Sequence, residues 1–233
     1  MQQKIKSYVL RAGRMSPRQQ EGYEQHLPDF CLPPPGERWD LVQAFSRSAP
    51  LIVEIGFGMG ASLLAMAEAH PQINYIGIEV HRAGLGRLAA DLHDHQINNV
   101  RIAPYDAVEV LNTCVEAGSL SGVQIFFPDP WPKKRHHKRR LIQTEFISHV
   151  LTRLKPGGFI HCATDWEAYA QHMLSVLSSI PGLENDSETH DYVPRPTIRP
   201  LTKFEQRGQN LGHGVWDLMF KRTVDLAQTI QTP

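Results

Sequence analysis

The sequence has no apolar run approaching the ~20 residues that a membrane-spanning helix requires. Its first residues are polar and basic and lack the apolar stretch of a secretory leader, so no export is expected. Cysteine is scarce: Cys31, Cys114 and Cys162 lie too far apart for a C-x-x-C pair. That spacing argues against a disulfide framework and against a zinc knuckle, and it fits a reducing, cytoplasmic setting. The histidines are scattered, with no H-x-x-x-H or H-E-x-x-H spacing, so no metal is expected. Net charge is missing too, with Lys+Arg 24 against Asp+Glu 24. A neutral chain is not an indiscriminate polyanion binder, but its charge is uneven. Residues 1–20 hold Lys4, Lys6, Arg11, Arg14 and Arg18 and no acid at all. No internal repeat and no second domain is evident.

What is present is an alternation of buried strands and amphipathic helices. The 233 residues suffice for one full α/β domain. Residues 1–35 lack periodicity and end in Leu32-Pro33-Pro34-Pro35-Gly36, which reads as a flexible basic arm; residues 36–233 read as the single folded domain. A short helix is expected over Trp39 to Phe45. Strands are expected at Leu51–Ile55, Asn74–Glu79, Val100–Ala103, Val123–Phe127 and Phe159–Thr164, with two more at Leu183–Glu188 and Val215–Lys221. Helices fall between them: Ala61–Ala69, His81–His95, Val108–Glu116, Leu141–Leu154 and Trp166–Ser179. Repeated βα units imply a parallel sheet with helices on both faces.

One segment organises the rest: V-Q-I-F-F-P-D-P-W-P-K-K-R-H-H-K-R-R, from Val123 to Arg140. An apolar strand runs into Pro128, Pro130 and Pro132, which fix the backbone at every second residue. Asp129 and Trp131 are held between them. A cationic block follows directly, Lys133, Lys134, Arg135, Lys138, Arg139 and Arg140, of a kind that attracts phosphates. In open α/β sheets ligands bind outside the carboxyl ends of the strands, so a carboxylate and cations delivered there are placed for chemistry on an anionic partner. Trp131 is either a stacking platform for a base or a prop beneath the loop.

Acids recur along that edge: Glu79, Asp106, Asp129 and Asp165 at successive strand ends, and Glu54 just before the glycine loop. Gly56, Gly58 and Gly60 let a ligand approach the backbone before the chain turns into a helix. Gly56, Gly58 and Ala61 also match the dinucleotide pattern, and Glu79 is placed for ribose hydroxyls, so nicotinamide cofactors and S-adenosylmethionine both stay open on spacing alone. Electrostatics favours the second, because acids suit a sulfonium and an ammonium better than a pyrophosphate.

The sequence resembles the bacterial tRNA (guanine-N7-)-methyltransferase family, of the class I S-adenosylmethionine-dependent fold. The resemblance spans roughly Leu51 to Arg222. It rests on E-I-G-F-G-M-G from Glu54, G-I-E-V-H from Gly77, F-P-D-P-W-P-K-K from Phe127 and T-K-F-E from Thr202. It implies a Rossmann-like, mostly parallel seven-stranded sheet. It implies cofactor contacts at Glu54, Gly56, Gly58, Gly60, Glu79, Asp106 and Asp129, with Asp129 catalytic. Substrate contacts are implied at Lys133, Asp165, Thr202, Lys203, Phe204 and Glu205, and RNA contacts at Arg135, His136, His137, Lys138, Arg139 and Arg140. The implied reaction methylates N7 of a guanosine in the variable loop of tRNA, yields S-adenosyl-L-homocysteine and needs no metal, no membrane and no obligate protein partner. A nicotinamide-dependent oxidoreductase is the first competing reading, disfavoured by Glu54 and by the lack of a Tyr-x-x-x-Lys pair. A non-catalytic RNA-binding protein is the second, and it leaves the strand-end acids without a purpose.

Overall fold

In this computed structural model residues 7–8, 13–201, 205–206 and 214–223 are described. The described strands form one seven-stranded sheet in the order β3-β2-β1-β4-β5-β7-β6. These are β1 (Leu51–Ile55), β2 (Asn74–Ile78), β3 (Val100–Ala103), β4 (Leu120–Phe126), β5 (Leu154–Thr164), β6 (Leu183–Asn185) and β7 (Trp216–Arg222). Strands β1 to β5 pair in parallel, whereas β7 runs antiparallel to both β5 and β6. The strand order reverses between β1 and β4, which makes their shared carboxyl edge the switch point where such sheets bind ligands. Every residue of β1 and β2 is buried, as expected of strands covered on both faces.

Each face carries its own apolar layer. On one, Val53, Ile55, Ile76, Ile78, Val123 and Ile125 pack against α6 (Ala107–Thr113), α7 (Thr144–Arg153) and α8 (Glu167–Ser178), through side chains such as Leu111, Val150 and Met173. On the other, Ile52, Tyr75, Val100, Ile102 and Phe126 meet α4 (Ala61–Ala69) and α5 (Arg82–Asp94) through Leu63, Met66, Leu85, Leu88 and Leu92. None of the described helices is long and apolar enough to cross a membrane.

Within residues 1–35, expected as a flexible arm, the described stretch from Pro17 to Phe30 is helical and packed. Helix α1 (Pro17–Glu21), a π turn (Gly22–His26) and α2 (Leu27–Phe30) fold back onto α5. Glycine permits this: a Cβ on Gly22 would lie 2.0 Å from the carbonyl oxygen of Gly86, and one on Gly86 would lie 2.0 Å from that of Gln19. Arg18 then reaches Asp91 and Asp94, each at 2.7 Å, and Cys31 adds a parallel bridge to Ile102 at the sheet edge. A short helix α3 (Leu41–Phe45) leads into β1, its N-terminus capped by Asp40.

Candidate active site

The glycine loop leaves β1 with a chain direction that only glycine takes easily: Gly56, Gly58 and Gly60 have φ of 75°, 58° and 81°. Around Gly56 and Gly58 a side chain would meet nothing within 4 Å, so the loop is an open cradle. Glu79, at the end of β2, fixes this loop. Its Oε2 accepts the Gly58 N–H at 3.0 Å, and its Oε1 accepts those of Val80 and His81 at 2.7 and 3.1 Å. Glu54 sits just behind, 2% exposed. Burial, with the Glu79 charge second, pushes its carboxyl up to about 8, and its Oε2 has no hydrogen-bond partner among the described residues.

Asp106 follows β3 and caps α6, its Oδ1 accepting the Val108 N–H at 2.9 Å. Beyond β4 the chain turns through two non-glycine residues in left-handed conformation, Phe127 at φ 50° and Trp131 at φ 45°. Such geometry costs on the order of 1–3 kcal/mol per residue and is held only where the surroundings over-determine it. Between them lies Asp129, exposed to solvent. Glu79, Asp106 and Asp129 line one cleft of ≈ 240 Å³ with Gly56, Tyr105, Phe127 and Leu141, and Ser7 and Tyr8 also line it. Three of the sequence-derived acids therefore converge. The apolar wall formed by Tyr105, Val108 and Leu141 was not anticipated, because isolated apolar residues in loops carry no periodic signal.

Other candidates fall elsewhere. Asp165, after β5, is exposed and is not among the residues lining that cleft. Lys133, Lys134, Arg135 and Lys138 are exposed on or beside a 3₁₀ turn, Lys134–Arg139. His136 on the same turn is held below the usual imidazole range by desolvation and then by the flanking cations, Arg135 first. Arg140 is a correction to the expected RNA-facing run. It is 4% exposed, donates from Nε to the Pro130 carbonyl at 2.9 Å, and lies 4.8 Å from the Tyr169 ring centroid. It braces the proline loop from inside. Arg139 covers the Trp131 ring at 4.1 Å while the indole N–H donates to the Ser7 carbonyl, so Trp131 packs within the loop in this structure.

Glu205, expected as a substrate contact, is held by the protein itself. It is buried, and both of its oxygens accept from Arg199, at 2.5 and 2.8 Å. Arg199 also donates to both oxygens of Asp217, at 2.7 and 2.8 Å, and His161 Nε2 meets Asp217 Oδ1 at 2.8 Å. Burial alone would raise the Asp217 carboxyl; His161 and Arg199 outweigh it and hold Asp217 below the usual range. Thr202, Lys203 and Phe204 lie outside the described residues. His137 partners Arg140 at 3.2 Å. Among the described residues no group of three His, Cys, Asp or Glu side chains is placed to hold a metal ion.

Residues 48–218 match the family described as "Putative methyltransferase". The protein called tRNA (guanine-N(7)-)-methyltransferase in Legionella pneumophila (strain Paris) is 63% identical over 225 residues, covering 94% of each chain. Its namesake in Cronobacter sakazakii is 53% identical over 94% of this chain and 92% of its own. Among solved structures, the 16S rRNA methyltransferase KamB aligns over 81% of this chain and 96% of its own, at 12% identity and a TM-score of 0.58. The [4+2]-cyclase SpnF aligns over 89% and 95%, at 13% identity and a TM-score of 0.53. The fold alone thus hosts more than one chemistry, and the identities carry the narrower assignment. The chain belongs to the tRNA (guanine-N(7)-)-methyltransferase family.

Proposed function

We propose that this chain transfers a methyl group from S-adenosylmethionine to N7 of a guanosine in the variable loop of tRNA. The observation that carries the reading is the convergence of Glu79, Asp106 and Asp129 on one cleft beside an open glycine cradle. The residues fit a cationic, phosphate-free donor. The buried Glu54 Oε2 has no partner among the described residues, and the cleft wall carries three carboxylates. The glycine loop offers a surface that a Cβ at Gly56 or Gly58 would fill. Glu54, Glu79 and Asp106 would hold the donor, with Gly56, Gly58 and Gly60 shaping its seat.

S-adenosylmethionine supplies an electrophilic methyl group on a sulfonium and leaves as S-adenosylhomocysteine. Guanine N7 has a free lone pair, so no base has to remove a proton before attack, and positioning supplies most of the acceleration. Asp129, exposed at the cleft, accepts from N1–H and N2–H of the guanine, orients the base and favours the positive charge that develops on methylation. Reaching a base inside folded tRNA requires local unstacking. Lys133, Lys134, Arg135 and Lys138, all exposed, bind backbone phosphate without reading sequence. Asp165 and the chain around Glu205 complete the substrate side in this reading.

The test is incubation of the full chain with radiolabelled S-adenosylmethionine and bulk tRNA, followed by aniline cleavage. Label in tRNA, with strand scission at the variable loop, is expected. Label without aniline-sensitive sites would move the reaction to another atom.

A further inference from the structure

On the face of the sheet that packs on α4 and α5, buried polar side chains cross the central strands in one line, and the Tyr75 hydroxyl of β2 belongs to the same face. In β1, β4 and β5 the register partners are Glu54, Gln124 and His161. Partners in parallel register project to the same face and stand about 4.8 Å apart between strands. In β7, Asp217 meets His161 at 2.8 Å, and Arg199 and Glu205 continue from Asp217. The line therefore runs Glu54, Gln124, His161, Asp217, Arg199, Glu205, from the donor acid to the substrate side. Each of the six is 2% exposed or less.

The middle of this line is under-bonded. Gln124 Oε1 and Nε2, Glu54 Oε2 and His161 Nδ1 have no hydrogen-bond partner among the described residues. An unpaired buried polar group costs about 1–3 kcal/mol, and an aliphatic residue would suit a central parallel strand better than glutamine. Such groups in a native core call for an explanation other than stability. Asp217 holds His161 through Nε2, which leaves Nδ1 as the ring's unused nitrogen. The Gln124 amide carries both a donor and an acceptor and stands in register between that ring and Glu54. The same line touches the catalytic loop: Phe126 stands edge-on to His161 with ring centroids 4.9 Å apart, and the Arg199 guanidinium lies 5.6 Å from the Phe127 ring centroid.

We propose that Gln124 and His161 are positioning residues for methyl transfer, and that the Gln124 amide, unpartnered among the described residues of the free chain, closes the line between Glu54 and His161 when donor and tRNA are bound. The role rests on the methyl-transfer reading above. The line fixes the substrate-side chain, through Arg199, relative to the donor acid and to the loop that carries Asp129.

The experiment measures kcat, both KM values and the melting temperature of the full chain with S-adenosylmethionine and tRNA, for the wild type, Gln124→Leu, His161→Leu, His161→Gln and the Gln124→Leu/His161→Leu pair. For Gln124→Leu, kcat is expected to fall on the order of ten- to a hundredfold, as misplacement of reacting groups does. Both KM values should stay within about twofold, and the melting temperature should hold or rise because two unpartnered polar atoms are gone. His161→Gln should recover turnover that His161→Leu loses, and the double variant should be no slower than the slower single. Wild-type kcat in Gln124→Leu, a fall in melting temperature alongside reduced turnover, or effects that multiply in the double variant would overturn the role. A wild-type chain that methylates no tRNA would overturn the functional reading together with this role, whereas an active wild type with an unaffected Gln124→Leu overturns this role alone.

Discussion

The two halves of the sheet hold their charged groups by different means. In the β1–β3 half, backbone amides do the holding: Glu79 is fixed by the N–H groups of Gly58, Val80 and His81, and Asp106 by that of Val108. In the β4–β7 half, long cationic side chains do it: Arg140 braces Pro130, Arg139 lies over Trp131, and Arg199 clamps Glu205 and Asp217. The first arrangement places Glu79 and Asp106 on the cleft wall. The second consumes most of its charge internally, and leaves Lys133, Lys134, Arg135 and Lys138 as the exposed cations of the basic turn. A count of basic residues in the sequence therefore overstates the surface offered to a polyanion.

The strongest way to break this contrast is to remove the clamp. Arg199→Leu removes the guanidinium from two buried carboxylates, Glu205 and Asp217, which costs about 3–5 kcal/mol. For a chain of this size the melting temperature should fall on the order of 10 °C, whereas Arg135→Ala, at the surface, should move it by less than about 2 °C. Equal shifts in calorimetric melting would erase the distinction between inner and outer cations. Next in size, Asp129→Ala should lower kcat about 10²–10³-fold with an unchanged circular dichroism spectrum, the effect of removing one pre-oriented charge partner. Wild-type turnover in that variant would remove Asp129 from the reaction.

Glu54 separates the halves by pH. Its folded-state carboxyl is raised from 4.5 to about 8, so its contribution to stability is complete below about pH 4.5 and is lost as pH rises toward 8. Glu54→Gln should accordingly stabilise the protein, and more so with rising pH, as followed by denaturant midpoints from about pH 5 to 9. A constant difference would mean that Glu54 is ionised throughout. Binding of a cation beside this carboxyl favours its charged form, so donor uptake near pH 7 should release a proton. That release is readable as a dependence of binding enthalpy on the buffer's ionisation heat. The smallest effect concerns RNA. Replacing Lys133, Lys134, Arg135 and Lys138 together with alanine should flatten the salt dependence of tRNA binding, by about 0.7–0.9 in log–log slope for each phosphate that is no longer neutralised. Arg140→Ala should leave that slope in place and lower stability instead, a result read by filter binding across salt concentrations.

Sequence signals and structure agree where the determinant is local. The strands Leu51–Ile55 and Val100–Ala103 and the helix Ala61–Ala69 have the expected bounds, because an apolar run between breakers fixes each one. The glycine loop and the strand-end placement of Glu79, Asp106 and Asp129 were legible for the same reason: each position depends on a few adjacent residues. The N-terminal helices were not, because their apolar stripe is only Tyr23, Leu27 and Phe30, and the rest of their docking on α5 runs through Gly22, Gly86 and Arg18, which carry no periodic signal. Arg199, Asp217 and His161 were missed as a group because each side chain is ordinary in its own segment, and only strand pairing across 56 residues brings His161 to Asp217. The internal partners of Arg140 and Glu205 were not legible, since nothing nearby in sequence marks the Pro130 carbonyl or Arg199 as a partner.

The most direct test of the central claim is a calorimetric titration of the full chain with S-adenosylmethionine and, in parallel, with NAD. One molecule of S-adenosylmethionine should bind per chain, with affinity weakened in Glu79→Gln, and NAD should give no heat. Saturable NAD binding, or S-adenosylmethionine binding indifferent to Glu79, would contradict the assignment of these acids to a cationic methyl donor.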